Sequence, residues 1–148
     1  MHRLTIAALA LACMSDTMLA QEAKTEMPAP QTAAEALPTP ADCTLTKAQL
    51  CKADGGCAES AALGDLALPA RFLIHYADRV IASTSADGLP HVSTVDTLSS
   101  VGDNLTLQGV DGLTGWIVQT SKSEDGVSFT VVSHEVVLTA FGTCKATH

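Results

Sequence analysis

The chain has 148 residues, with sixteen acidic against eight basic side chains and a net charge of −8. That length suits one domain and not two, and an acidic chain without a basic stripe is a poor match for phosphate backbones or anionic membrane surfaces, so nucleic acid is excluded as a partner. The aromatic residues are Phe72, Tyr76, Trp116, Phe129 and Phe141. They are too few to spare for a stacking platform and are expected inside strands, filling the core.

The first residues are Met1-His2-Arg3, followed by an apolar run from Leu4 to Met14. A helix needs roughly 20 such residues to cross a bilayer, so the run is too short to span. It matches the central region of a secretory signal peptide, with polar Ser15-Asp16-Thr17 after it and Leu19-Ala20 as the cleavage end. Met18 stands where a small residue is usual. Residues 1–20 are therefore expected to be a signal peptide, and the mature protein to be periplasmic or secreted. The rival is a lipid anchor through Cys13, whose preceding Ala10-Leu11-Ala12 lacks the usual leucine three positions upstream. Losing Arg3 and Asp16 with the leader leaves the charge unchanged, and no later apolar run reaches transmembrane length.

Residues 21–42 contain Pro28, Pro30, Pro38 and Pro40 and almost nothing bulky to bury. They read as a disordered Pro/Ala-rich tether, in which only Thr32 to Leu37 suits a helical turn. From Cys43 the texture changes. Turn signals recur at Asp54-Gly55-Gly56, Asp87-Gly88, Gly102-Asp103-Asn104, Asp111-Gly112 and Asp125-Gly126. Between them, runs such as Asn104-Leu105-Thr106-Leu107-Gln108 and Val127-Ser128-Phe129-Thr130-Val131 alternate apolar with polar, the period of half-buried antiparallel strands. The fold class is all-β: an antiparallel meander over 43–148, closed as a small barrel or sandwich and stapled by two disulfides. The segment Pro69 to Ala82 reads two ways. Arg71, His75, Asp78 and Arg79 fall at helical spacing, but a hairpin with Phe72, Ile74 and Tyr76 inward suits the β-rich chain that follows and is preferred.

Cutting after Ala20 leaves Cys43, Cys51, Cys57 and Cys144, an even set suited to two bridges in an oxidising compartment. Three connectivities are open to four cysteines. Cys51 and Cys57 flank the Asp54-Gly55-Gly56 turn, where a hairpin sets them opposite each other. Cys43 and Cys144 lie at the two ends of the domain and would lock the first strand to the last. The paired spacing of zinc knuckles is absent, so the cysteines are assigned to disulfides and no metal site is expected.

No catalytic residue and no cofactor can be assigned. His75, His91 and His134 are spread along the chain, and Ser133-His134-Glu135 suits the last hairpin turn. No Gly-x-Ser-x-Gly elbow is present. Gly109, Gly112 and Gly115 lack the Lys-Ser/Thr of a phosphate loop and read as turn or bulge glycines. The aspartates show no calcium-loop spacing.

Cys43-Thr44-Leu45-Thr46 at the front, Cys51 and Cys57 next, and Phe141-Gly142-Thr143-Cys144 at the end bracket nearly the whole domain. With these features it resembles a group of small uncharacterised exported proteins of Gram-negative bacteria. The resemblance implies an all-β fold and carries over no activity and no site residues. The expected function is a non-enzymatic binding module for a protein or small ligand. One alternative is a periplasmic enzyme inhibitor that presents Ser123-Glu124-Asp125-Gly126, with Glu124 and Asp125 as its binding residues. Another is a lipid or small-ligand carrier, which requires an apolar cavity. An enzyme would need His75, His91 or His134 beside an acidic partner in a pocket.

Overall fold

The computed structural model describes residues 36–85 and 87–147. The expected signal peptide, Cys13 and most of the expected tether lie outside them, as do Thr32 to Glu35 of the suggested helical turn. Ala36 and Leu37, the end of that turn, have no regular structure.

Twelve strands follow: β1 (Ala41–Lys52), β2 (Cys57–Ser60), β3 (Ala62–Leu63), β4 (Leu66–Ala67), β5 (Ala70–His75), β6 (Val80–Thr84), β7 (Pro90–Thr94), β8 (Thr97–Val101), β9 (Asn104–Asp111), β10 (Thr114–Ser121), β11 (Gly126–Val132) and β12 (Val136–Ala146). The first begins at Ala41, two residues before the expected domain boundary at Cys43. Ala41 is buried and pairs with Ala146, so the ladder extends past the cysteine pair. The ambiguous Pro69–Ala82 segment is the β5–β6 hairpin, with Phe72 and Ile74 buried and Tyr76 buried in the turn just beyond β5.

Pairing is antiparallel throughout. The main sheet runs β7–β6–β5–β1–β12–β11–β10–β9–β8, with β2 attached to β1, while β3 and β4 form a separate hairpin. Strands β7 and β8 are consecutive in the chain yet lie at opposite ends of this path. Val95-Asp96 joins them: the Val95 amide donates to the Arg79 carbonyl at 2.8 Å, and the Asp96 amide donates to the Gln108 carbonyl at 2.8 Å. At this corner one stretch of backbone bonds to both sides of the curled sheet, giving the barrel-like form.

Period-two alternation places the inner face. Leu105 and Leu107 of β9, Val118 and Thr120 of β10, and Phe72 and Ile74 of β5 point inward. Leu45, Ile74, Leu107 and Val118 are fully buried, each worth roughly 1.5–3 kcal/mol of hydrophobic stabilisation. Beyond them the hydroxyls of Tyr76 and Thr120 meet at 3.4 Å. Burial pushes the Tyr76 phenol pKa up, so the phenol stays protonated and neutral. Phe141 departs from the expected core set: it sits on the outward face of β12 and is 49% exposed, because Leu138 and Ala140 occupy the inward positions.

Both disulfides join directly opposed strand residues. Cys43 on β1 is bonded to Cys144 on β12, and Cys51 on β1 to Cys57 on β2. The turns expected at Asp54-Gly55-Gly56, Asp87-Gly88, Gly102-Asp103 and Asp111-Gly112 are found there, whereas Gly126 already belongs to β11 and the bend before it falls at Lys122 to Glu124. Gly102 and Gly112 hold φ of 59°, the left-handed conformation that two-residue hairpin turns need and that glycine adopts without steric cost.

Candidate functional site

At one end of β10, marked by Thr120 and Tyr76, the interior is packed. At the other, marked by Trp116, it opens into a cleft of about 910 Å³. Ligand sites fall in the range of roughly 300–1,000 Å³. The walls are Leu63, Phe72, Ile81, Trp116, Phe129 and Val131, contributed by β3, β5, β6, β10 and β11. The aromatic members form one connected group: Phe72 and Phe129 meet in a tilted arrangement at 5.3 Å between ring centroids, and Trp116 meets Phe129 edge-on at 6.1 Å.

Gly109 seats the indole. It lies opposite Trp116 in the β9–β10 ladder, and a Cβ there would stand 2.3 Å from Cζ2 of Trp116 and 2.5 Å from the Thr94 carbonyl oxygen. It is therefore neither a turn nor a bulge glycine, as the sequence reading has it, but a strand glycine whose missing side chain makes room for a ring. The Trp116 indole N–H is buried without a hydrogen-bond partner.

The rim is polar. Three turns distant in sequence converge on it: β3–β4 with Asp65, the Ser85–Leu89 connection with Asp87, and β9–β10 with Asp111. Inner-face positions of β7 hold His91 and Ser93, opposite Ser83 and Ile81 of β6. His91 Nε2 contacts Asp111 Oδ2 closely, and Ser93 Oγ lies 3.1 Å from both His91 Nε2 and Asp111 Oδ2. Carboxylate and hydroxyl thus meet the same ring nitrogen. In a nucleophile-activating triad they occupy opposite nitrogens, so this cluster fixes a hydrogen-bonding group at the rim and does not prime Ser93. Ser85 donates its hydroxyl to Asp87, which with local backbone amides holds that carboxyl below the usual carboxylate range.

His75 and His134 are also beside carboxylates, but on the surface. His75 Nδ1 is 3.6 Å from Asp78 Oδ2, and His134 Nε2 is 3.3 Å from Glu135 Oε1 in the β11–β12 turn. Neither lines the cleft. Among the described residues no group of three or more His, Cys, Asp or Glu side chains is placed to hold a metal ion. A more open groove of about 530 Å³ runs beside the Arg71–Asp42 ion pair and shares Phe72 with the cleft wall.

Glu124 and Asp125 lie at the packed end, in the β10–β11 connection, and do not join the cleft. Their side chains are exposed while their backbone is tied down. The Glu124 amide donates to Ser121 Oγ at 3.0 Å, and the Asp125 carbonyl accepts the Cys144 amide at 2.7 Å. Asp103 braces the loop from the β8–β9 turn by accepting the hydroxyls of Ser121 and Ser123, which hold its carboxyl below the usual range. A carboxyl depressed on folding stabilises the fold above its unfolded pKa, near 3.9, and loses that contribution as pH falls through its folded value. Thermal midpoints of wild type and Asp103→Asn should therefore differ most near pH 6–7 and converge as the pH drops below about 4. A gap that widens on acidification would contradict the bracing role.

Comparison with protein-family models, with curated proteins and with solved structures finds no match for this chain.

Proposed function

We propose that this chain is an exported, non-enzymatic binding module that holds a small apolar molecule in the cleft at the Trp116 end of the sheet. The observation that carries this reading is the cleft itself: an aromatic- and aliphatic-walled space of about 910 Å³ where a small β-domain would otherwise continue its packed core. The leader-like first twenty residues and two disulfides suit an oxidising compartment such as the periplasm. So does the resemblance to small exported proteins of Gram-negative bacteria.

Trp116 is the single tryptophan and forms part of the wall, which gives a direct readout. N-phenyl-1-naphthylamine, a neutral apolar dye, should brighten on binding and quench Trp116 emission by energy transfer. Ser83 is half-buried on the inner face of β6 and borders the cleft, so Ser83→Phe fills space there. That variant should raise the dye's Kd at least tenfold with an unchanged far-ultraviolet spectrum. A wild type that leaves the dye dark, or equal binding by Ser83→Phe, would refute the cleft as a ligand site.

A second reading has support in the loop at the packed end. A preformed backbone with Glu124 and Asp125 turned to solvent suits insertion into a basic active site, as an enzyme inhibitor requires. Assays of cationic secreted hydrolases with and without the domain test it. Inhibition should disappear in the Glu124→Ala, Asp125→Ala double variant.

A further inference from the structure

We propose that the molecule taken by the cleft is an apolar cation, a hydrocarbon or aromatic body that carries an ammonium head. This rests on the cleft being a ligand site and adds the chemistry of the head group. The body is set by the walls, since the aromatic trio Phe72, Trp116 and Phe129 with Leu63, Ile81 and Val131 offers hydrocarbon and ring faces. Ring faces also attract alkylammonium groups.

The head is set by the rim. Asp65, Asp87 and Asp111 face the opening from three separate turns, and among the described residues that line it there is no lysine or arginine. His91 is the one side chain there able to carry positive charge, and its Nε2 is already against Asp111. Even with His91 protonated, three carboxylates against one imidazolium leave the rim negative. Two of the carboxylates are also fixed in place, Asp87 by the Ser85 hydroxyl and Asp111 by Ser93 and His91. Fixed acceptors at the exposed mouth of an apolar cleft favour a donor that brings its own positive charge, and they repel a carboxylate or phosphate head. The net charge of −8 adds a long-range field that draws cations and turns anions away. Fatty acids and anionic lipids, otherwise natural occupants of an apolar cleft in a small barrel, are thereby disfavoured.

Three probes with one body separate head from tail: 4-phenylbutylamine, 4-phenylbutanol and 4-phenylbutyrate, titrated at pH 7 and low salt by calorimetry and Trp116 emission. The amine should bind at least tenfold tighter than the alcohol, and the carboxylate weakest. The amine's advantage should shrink in high salt. In the Asp87→Asn, Asp111→Asn double variant the amine should lose at least tenfold while the alcohol stays within twofold, which excludes a collapsed cleft as the cause. Equal binding of amine and alcohol, or tighter binding of the carboxylate, overturns the cationic head and leaves the cleft standing. If none of the three binds and the naphthylamine dye also fails, both readings fall together.

Discussion

Replacing Gly142 with alanine is expected to cost more than about 3 kcal/mol, in the upper tail of single substitutions, and to leave β1 and β12 unable to seat together. A Cβ at this position would stand 1.9 Å from the Thr44 carbonyl oxygen and 2.7 Å from the Leu45 Cα. Both obstacles are backbone, so no rotamer change relieves them. The close approach has a local cause. Between Leu45 and Lys47 the register of β1 against β12 shifts by one residue, leaving Thr46 as a bulge that bends β1 beside Gly142. Gly126 in β11 is the matched control, because a Cβ there meets nothing within 4 Å. Gly126→Ala should stay within about 0.5 kcal/mol of wild type in urea unfolding, as surface substitutions usually do. A Gly142→Ala protein with a wild-type urea midpoint would show that β1 has room to retreat and that the bulge does not fix the β1–β12 spacing.

The second large effect is expected from the Cys43–Cys144 bridge. It joins residues 101 apart in sequence, whereas Cys51–Cys57 joins residues 6 apart. In the chain-entropy model the longer loop is worth about 4–5 kcal/mol and the shorter roughly 2 kcal/mol. For a small domain with total stability on the order of 5–15 kcal/mol, the first figure is a large share and the second is not. Cys43→Ala with Cys144→Ala should therefore lower the denaturation midpoint far more than Cys51→Ala with Cys57→Ala, measured without reductant. Cys43 is fully buried, and alanine leaves no unsatisfied polar atom in its place. Equal losses from the two pairs would mean that local strain or packing, and not loop closure, governs their contribution.

The strands were legible because their physics is local. Alternation in Asn104–Gln108 and Val127–Val131 requires only that one face be wet, and the Asp-Gly turns require only a short-range φ preference. The β1–β12 pairing was also accessible, since it follows from placing Cys43 opposite Cys144. The start of β1 at Ala41 was not, because Pro40 and its neighbours read as linker. Thr147 nevertheless donates both its amide and its hydroxyl to the Pro40 carbonyl, at 2.8 and 3.0 Å.

The cleft was invisible in the sequence for a different reason. Whether an interior is filled depends on the summed volumes of inward residues from five strands, and no single stretch records that sum. His91, Ser93 and Asp111 each look like solvent-facing polar residues near a turn. Only the curl of the sheet, which carries β7 round to the β9–β10 turn, brings them together. Gly109 gave the nearest thing to a signal, a glycine within an otherwise regular apolar–polar alternation; its meaning depends on Trp116 across the ladder.

The place of β1 in the sheet has a consequence for how the domain is made. Its first half bonds β5 on one side, and the strand bonds β12 along almost its whole length on the other. Among the described strands, the earliest to leave the ribosome is thus completed by the latest. Local hairpins from β5 to β11 can close as they are synthesised, but β1 keeps one open edge until Val136–Ala146 arrives. Such long-range pairing slows folding because the intervening chain must be ordered first. A chain cut off before Val136 would add two unpaired edges, on β1 and on β11, to those of the end strands β7 and β8, and would be a candidate for strand-to-strand association with its own copies.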